Sequence, residues 1–205
     1  MYSQQNLFVS IILLIAVSSG FDHTADAQTY GFRLGPNFVN QRLRDGAQIV
    51  KPGATVRFHA GVFINSEIDK NFCVQIEIGY SGLGHQQNPY NNPGSGKYEY
   101  GTAGIVLKYY PNQKLSILAG PQLGYLLGGK TSAGQNVADL PPDRDDLNAV
   151  IGAEFYPVRL LGVGLRYNLG LSNIKTISID RQYNRAIQLS LILRIPGYQL
   201  KESGY

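Results

Sequence analysis

Apolar residues recur at every second position along eight stretches of the chain. Tyr30, Phe32, Leu34, Pro36 and Phe38 alternate with Gly31, Arg33, Gly35 and Asn37, and Val56, Phe58, Ala60, Val62 and Ile64 alternate with Arg57, His59, Gly61, Phe63 and Asn65. The pattern returns in Phe72–Tyr80, Ala103–Tyr109, Leu115–Tyr125, Leu147–Phe155, Leu161–Leu171 and Ile187–Ile195. A period of two is the mark of a β-strand with two unlike faces. Within these stretches nearly every charged residue shares the phase that holds Gly, Ser, Gln and Asn: Arg33, Arg57, Glu77, Lys108, Glu154, Arg166 and Arg194. Runs of this length suit tilted strands crossing a bilayer.

The connections alternate as well. Residues 40–55, 84–96, 129–146 and 173–185 are long and rich in Gly, Asn, Pro and Asp, whereas 65–71, 111–114 and 157–160 are short. Long loops at one end and short turns at the other, around an even number of strands, predict an all-β fold: an eight-stranded antiparallel up-and-down transmembrane β-barrel. Both ends of the barrel domain then fall on the short-turn, periplasmic side. Pro121 interrupts a strand that is otherwise central, and a bulge or local bend is expected there.

A soluble carrier barrel alternates in the opposite sense, with an apolar lumen and a polar exterior. Eight strands enclose only enough room for side chains, which suits the small and polar set. The bulky Leu, Ile, Val, Phe and Tyr set then forms a lipid-facing band, with Tyr80, Tyr109, Tyr125 and Tyr167 as candidates for aromatic girdles. Charges enclosed in such a lumen must be paired or solvated. The cross-strand pairs expected are Glu77 with Lys108 and Glu154 with Arg166, an ionic plug that fixes the register.

The N-terminal segment departs from this pattern. Residues 7–17, LFVSIILLIAV, are too short to span a bilayer as a helix but fit the apolar region of a signal peptide, and Ala25-Asp26-Ala27 places cleavage before Gln28. The domains expected are therefore a signal peptide, 1–27, and the barrel, 28–205. Removing Asp22 and Asp26 raises the formal charge from +4 to +6. The basic residues are dispersed, so no nucleic-acid surface is read from them. Charged residues make up only 16% of the chain against 24 glycines and 14 tyrosines, which argues against a helical protein.

Little else carries chemistry. Cys73 is the one cysteine, so no disulfide framework exists and no metal-site spacing is met. His59 and His85, with Ser81 nearby, are candidates for neighbours at the barrel rim, but no catalytic motif and no third metal ligand accompanies them. Asp139, Asp143, Asp145 and Asp146 cluster in one loop with Arg144 among them, in a spacing that fits no EF-hand. No catalytic, cofactor or metal residue is assigned, and no enzyme activity is expected.

FHAGVFIN (58–65), VLKYYPNQKLSILAGPQLGYLL (106–127), VIGAEFYP (150–157) and LRYNLGLSNI (165–174) lie in order and span most of the barrel region. Together they resemble the PorT-like outer-membrane β-barrel family of Bacteroidetes-type bacteria. The resemblance implies an outer-membrane barrel without a cofactor, with type IX-like protein secretion as the role associated with the founding member. Gly101-Thr102-Ala103-Gly104 departs from a family segment that carries an inward glutamate, and the last strand ends in Ile195 rather than an aromatic residue. The partners expected are outer-membrane lipid, the barrel assembly machinery, and envelope or secretion proteins. The functions open at this point are a structural or interaction barrel acting through its loops, an accessory of secretion or envelope assembly, and a rim-located lipid-modifying enzyme.

Overall fold

A computed structural model describes residues 28–45, 48–50, 55–85, 96–131, 145–171 and 181–196. The expected leader, 1–27, lies outside the described residues, as do Asp139 and Asp143. The described strands are β1 (Gln28–Asp45), β2 (Gln48–Val50), β3 (Thr55–Asp69), β4 (Phe72–His85), β5 (Gly96–Asn112), β6 (Leu115–Thr131), β7 (Asp145–Phe155), β8 (Leu161–Gly170) and β9 (Arg181–Pro196). Each long strand pairs antiparallel with the next, and β9 returns to β1 over fourteen residue pairs, from Thr29–Pro196 to Arg44–Arg181. β2 adds three pairs to the far end of β1. The result is a closed eight-stranded up-and-down barrel, which leaves the eight long strands no free edge within the barrel wall.

The alternation is realised strand by strand. On β8, Leu161, Val163 and Leu165 are exposed, while Gly162, Gly164, Arg166 and Asn168 are buried. Each short turn and both outer strand ends, at Gln28 and Pro196, lie at one end of the barrel, here the turn end; the other is the loop end. The strands run further toward the loop end than the alternation indicates: β1 continues to Asp45, β5 starts at Gly96 and β9 at Arg181. Beyond the apolar band both faces meet polar surroundings, so the period-two signal fades while the backbone ladder keeps pairing.

Pro121 is accommodated without a bulge. On the β5 side the ladder is unpaired between Gly104–Gln122 and Leu107–Ala119 and resumes in the same register, while on the β7 side Pro121 stays opposite Ala149. Pro36 sits in a matching gap of the β1–β9 ladder, between Leu34–Leu191 and Asn37–Gln188. Each proline follows a glycine that closes on the neighbouring backbone. A Cβ on Gly35 would collide with the Leu189 carbonyl oxygen, and one on Gly120 with that of Ile105. Two Gly-Pro steps thus place a missing N–H where the strands part locally.

Candidate functional site

The charged residues expected to face inward do so at the middle and turn-end half of the barrel, where five of them meet. Glu77 on β4 receives Arg166 of β8, whose Nη1 lies 3.0 and 2.9 Å from the two carboxylate oxygens, and Arg33 of β1 at 3.0 Å. Gln75 and Gln122 donate to the same carboxylate at 2.6 and 3.3 Å. Glu154 on β7 receives Lys108 of β5 and the Tyr156 hydroxyl, both at 2.6 Å, and Arg166 Nη2 at 3.1 Å. Arg33 also stands 3.6 Å from Glu154. Two carboxylates thus bind three cations drawn from opposite walls, and Lys108, Glu154 and Arg166 are almost wholly buried.

The pairing differs in part from the expected one. Glu154 and Arg166 are bonded, but Glu77 and Lys108 are not cross-strand partners: Lys108 stands opposite Cys73 and Glu77 opposite Gly104. Lys108 instead crosses the lumen, past β6, to Glu154. Arg57 and Arg194 remain outside the cluster. Arg57 is half-buried near the loop end, and the Arg194 guanidinium lies 3.4 Å over the Tyr156 ring. Phe63 also faces inward, with Arg33 and Lys108 at 5.6 and 5.4 Å from its ring centre. Tyr156 was hidden in the sequence behind the outward Phe155, although its position two residues after Glu154 places it on the inward face.

The loop-end half is built otherwise. Val39, Leu83, Tyr100, Leu126 and Ala186 form an inward apolar cluster. Below it, Asn37 donates to the Ser81 hydroxyl at 2.8 Å, and His59 Nε2 lies 2.9 Å from the Ser190 hydroxyl. A cavity of about 20 Å³, lined by Leu83, Tyr100 and Ala186 of this cluster and by Ser81, Gln122, Asn148 and Asn168, has room for one water. His59 and Ser81 face each other on β3 and β4, but His85 comes four residues after Ser81, roughly 13 Å along the strand. The backbone thus sets the two histidines apart along the strands, and the His85 side chain lies outside the described residues. At the turn end a wider recess of about 990 Å³ opens among Glu67, Lys70, Tyr110, Arg159 and Arg194, with the buried Cys73 in its wall.

On the outside, Tyr80, Tyr125 and Tyr167 face outward in the loop-end half, as Phe38 and Phe58 do, and Tyr109 faces outward near the turns. Tyr109 lies with its ring centre 5.1 Å from that of Phe72. Tyr30 and Phe155 are exposed at the same end. Between the two aromatic zones the outer wall is mostly aliphatic, with Val62, Ile78, Ile105, Ile151 and Leu189 exposed and Phe32 opposite Val62. A closed barrel with a charged interior and an apolar exterior is the inverse of a soluble carrier, and it fits an outer-membrane protein.

The family model described as the outer membrane protein beta-barrel domain matches residues 26–176. The chain belongs to this family. It is an integral outer-membrane β-barrel. Among solved structures it is similar to Ail, the attachment invasion locus protein of Yersinia pestis, at 14% identity and a TM-score of 0.51, over 83% of this chain and 99% of that one. It is also similar to Neisserial surface protein A, at 8% identity and a TM-score of 0.51, over 83% of this chain and 99% of that one. At these identities the likeness is one of fold. No curated protein sequence matches it significantly.

Proposed function

We propose that this barrel is a PorT-like outer-membrane protein with a closed lumen, whose structural or interaction role is carried by its external loops and whose strand ends at Gln28 and Pro196 face the periplasm. The observation that carries the reading is the ion cluster, in which residues of β1, β4, β5, β7 and β8 meet at two carboxylates and fill the lumen across its width. A conducting pore keeps its charged groups solvated, whereas these are bound to one another. The loop-end apolar cluster is a second closure in series with the first. We assign the chain no catalytic role: the Nε2 of the buried His59 is held by the Ser190 hydroxyl.

Reconstitution in planar bilayers tests this. The wild-type barrel is expected to give no unitary conductance; a steady open channel would overturn the closed-lumen reading. A second reading, an accessory role in secretion or envelope assembly, is favoured by the recess of about 990 Å³ at the turn end, which offers both charge signs to a periplasmic partner. Profiling secreted and surface proteins in a strain lacking the chain tests that role, and unchanged profiles would remove it.

A further inference from the structure

The ion cluster does not balance its own charge. Three cations, Arg33, Lys108 and Arg166, stand against two carboxylates, Glu77 and Glu154, which leaves one positive charge in the lumen. Arg194 adds a second. It lies one inward step nearer the turns than Ile192, the residue opposite Arg33. Its guanidinium covers the Tyr156 ring and shares a hydrogen bond with the Tyr110 hydroxyl, but it forms no ion pair with a described residue, and its Nε has no hydrogen-bond partner. A ring face attracts a cation without neutralising it, so this end of the lumen lacks an anion.

Arg194 lines the turn-end recess of about 990 Å³. That volume is at the upper end of the range for small-ligand pockets, about 300–1,000 Å³. The two sides of the recess differ in charge. On one side the Arg194 backbone N–H donates to the Leu160 carbonyl at 2.7 Å, which ties the turn between β7 and β8 to β9 and brings Arg159 beside Arg194. On the other side β3 carries Glu67 and Asp69 to the rim, three strands round the wall from β8, with Lys70 next in the turn. No ion pair joins the two sides among the described residues. Asn65, the inward residue one step above Glu67, is buried, and its side-chain oxygen has no hydrogen-bond partner.

We propose that the recess binds a short peptide, with its carboxylate on Arg194 and Arg159 and its amino group on the side of Glu67 and Asp69. A carboxylate matches a guanidinium in a two-point geometry and supplies the anion that this end of the lumen lacks. The acids at the rim oppose a polyanion and favour a ligand whose two ends carry opposite charge. The inference rests on the periplasmic opening of the turn end only for the source of the peptide. Binding to the purified barrel is read whichever way the barrel faces, so its failure would leave the closed lumen and the secretion role standing.

The test titrates the folded full chain, in an uncharged maltoside detergent, with tetra-alanine in a calorimeter. The free peptide is expected to bind. Amidation of its carboxyl end should weaken binding about tenfold, and acetylation of its amino end should weaken it less, because Glu67 and Asp69 are exposed to water. R194Q should bind the free peptide about tenfold more weakly and no longer distinguish it from the amidated one, while R194K, which keeps the charge but loses the fork, falls between. E67Q/D69N should no longer distinguish the free peptide from the acetylated one. K114Q removes a charge from the turn end outside the recess and should bind as wild type. If R194Q does not give the folded band on a gel, R159Q is read in its place. No binding of the free peptide, equal binding of the amidated or the acetylated peptide, an undiminished effect of amidation in R194Q, or tighter binding of inorganic phosphate than of the peptide would each overturn the proposal.

Discussion

The two halves of the lumen are filled by opposite chemistries. Toward the turns, Glu77 and Glu154 hold Arg33, Lys108 and Arg166 in one buried cluster. Toward the loops, Val39, Leu83, Tyr100, Leu126 and Ala186 close the interior with apolar side chains over uncharged hydrogen bonds such as Asn37 to Ser81. Both fillings occupy the lumen, but they fail differently. An apolar cap loses contacts in proportion to the atoms removed, whereas an ion cluster that loses one member strands the others in a low-dielectric interior.

The largest effect should follow from Glu154→Gln. The substitution removes the carboxylate that Lys108 and Tyr156 both reach at 2.6 Å and leaves a fully buried ammonium without an anion. A loss of about 3–5 kcal/mol is expected in urea unfolding from detergent or bilayers. The double variant K108M/E154Q, which also removes the stranded cation, should recover part of that loss. If E154Q unfolds at the wild-type urea concentration, the turn-end half is not held by its ions and the contrast between the halves disappears.

Leu126→Ala addresses the other half. It removes a side chain from the apolar cap and should cost about 2–4 kcal/mol by lost burial and an incompletely collapsed cavity. No second substitution in the ion cluster should rescue it, and its effect should add to that of E154Q, since the two sites share no partner. Strong coupling between them would mean that the lumen is one packed unit.

How far the sequence reveals these two halves depends on where each signal arises. The eight strands and the shared phase of Arg33, Glu77, Lys108, Glu154 and Arg166 are legible, because alternation is a local property of each strand. The partner of Lys108 is not legible. It lies on β7, two strands from β5, and contacts across a lumen depend on barrel closure and strand stagger rather than on neighbouring register. The apolar cap is hidden for another reason. Leu126 keeps the inward phase of Leu118, Gln122 and Gly124, but the adjacent apolar Leu127, exposed beside a register shift between Glu99 and Tyr100, blurs the alternation at that point. The loop-end extensions of β1 to Asp45 and of β9 from Arg181 read as loop in the sequence, because beyond the apolar band no alternation marks a strand. At Pro121 the sequence admits a bulge or a local bend, and the missing donor is met by a local unpaired step in one ladder, without a bulge.

Gly35→Ala tests whether the seam between β1 and β9 closes both halves together. A methyl group there would press on the Leu189 carbonyl and lie 3.2 Å from the Ser190 Cα, so backbone rather than a flexible side chain must move. Overpacking of this kind costs about 1–3 kcal/mol. Because His59 stands opposite Gly35 on β3 and reaches Ser190 on β9, the same change should also disturb the hydrogen bond that crosses the seam. Amide exchange should then rise on both sides of Pro36, whereas H59A alone should raise it only toward the loops.

The smallest effect belongs to Asn37→Ala. Asn37 is fully buried, and its amide donates to the Ser81 hydroxyl and to the Gly82 carbonyl at 2.8 and 3.1 Å, but every group involved is uncharged. Losing two neutral hydrogen bonds and leaving their acceptors unsatisfied costs about 1–3 kcal/mol, toward the lower end where water from the adjoining cavity reaches Ser81. The comparison with Glu154→Gln is the informative quantity. Asn37 and Glu154 both bridge strands inside the same barrel, and their substitutions differ in whether an unpaired charge is left behind. Equal losses in urea unfolding would mean that lumen polarity alone sets stability. A clearly smaller loss for Asn37→Ala places the stabilising weight on charge pairing in the turn-end half, which leaves the loop-end half the more tolerant of change.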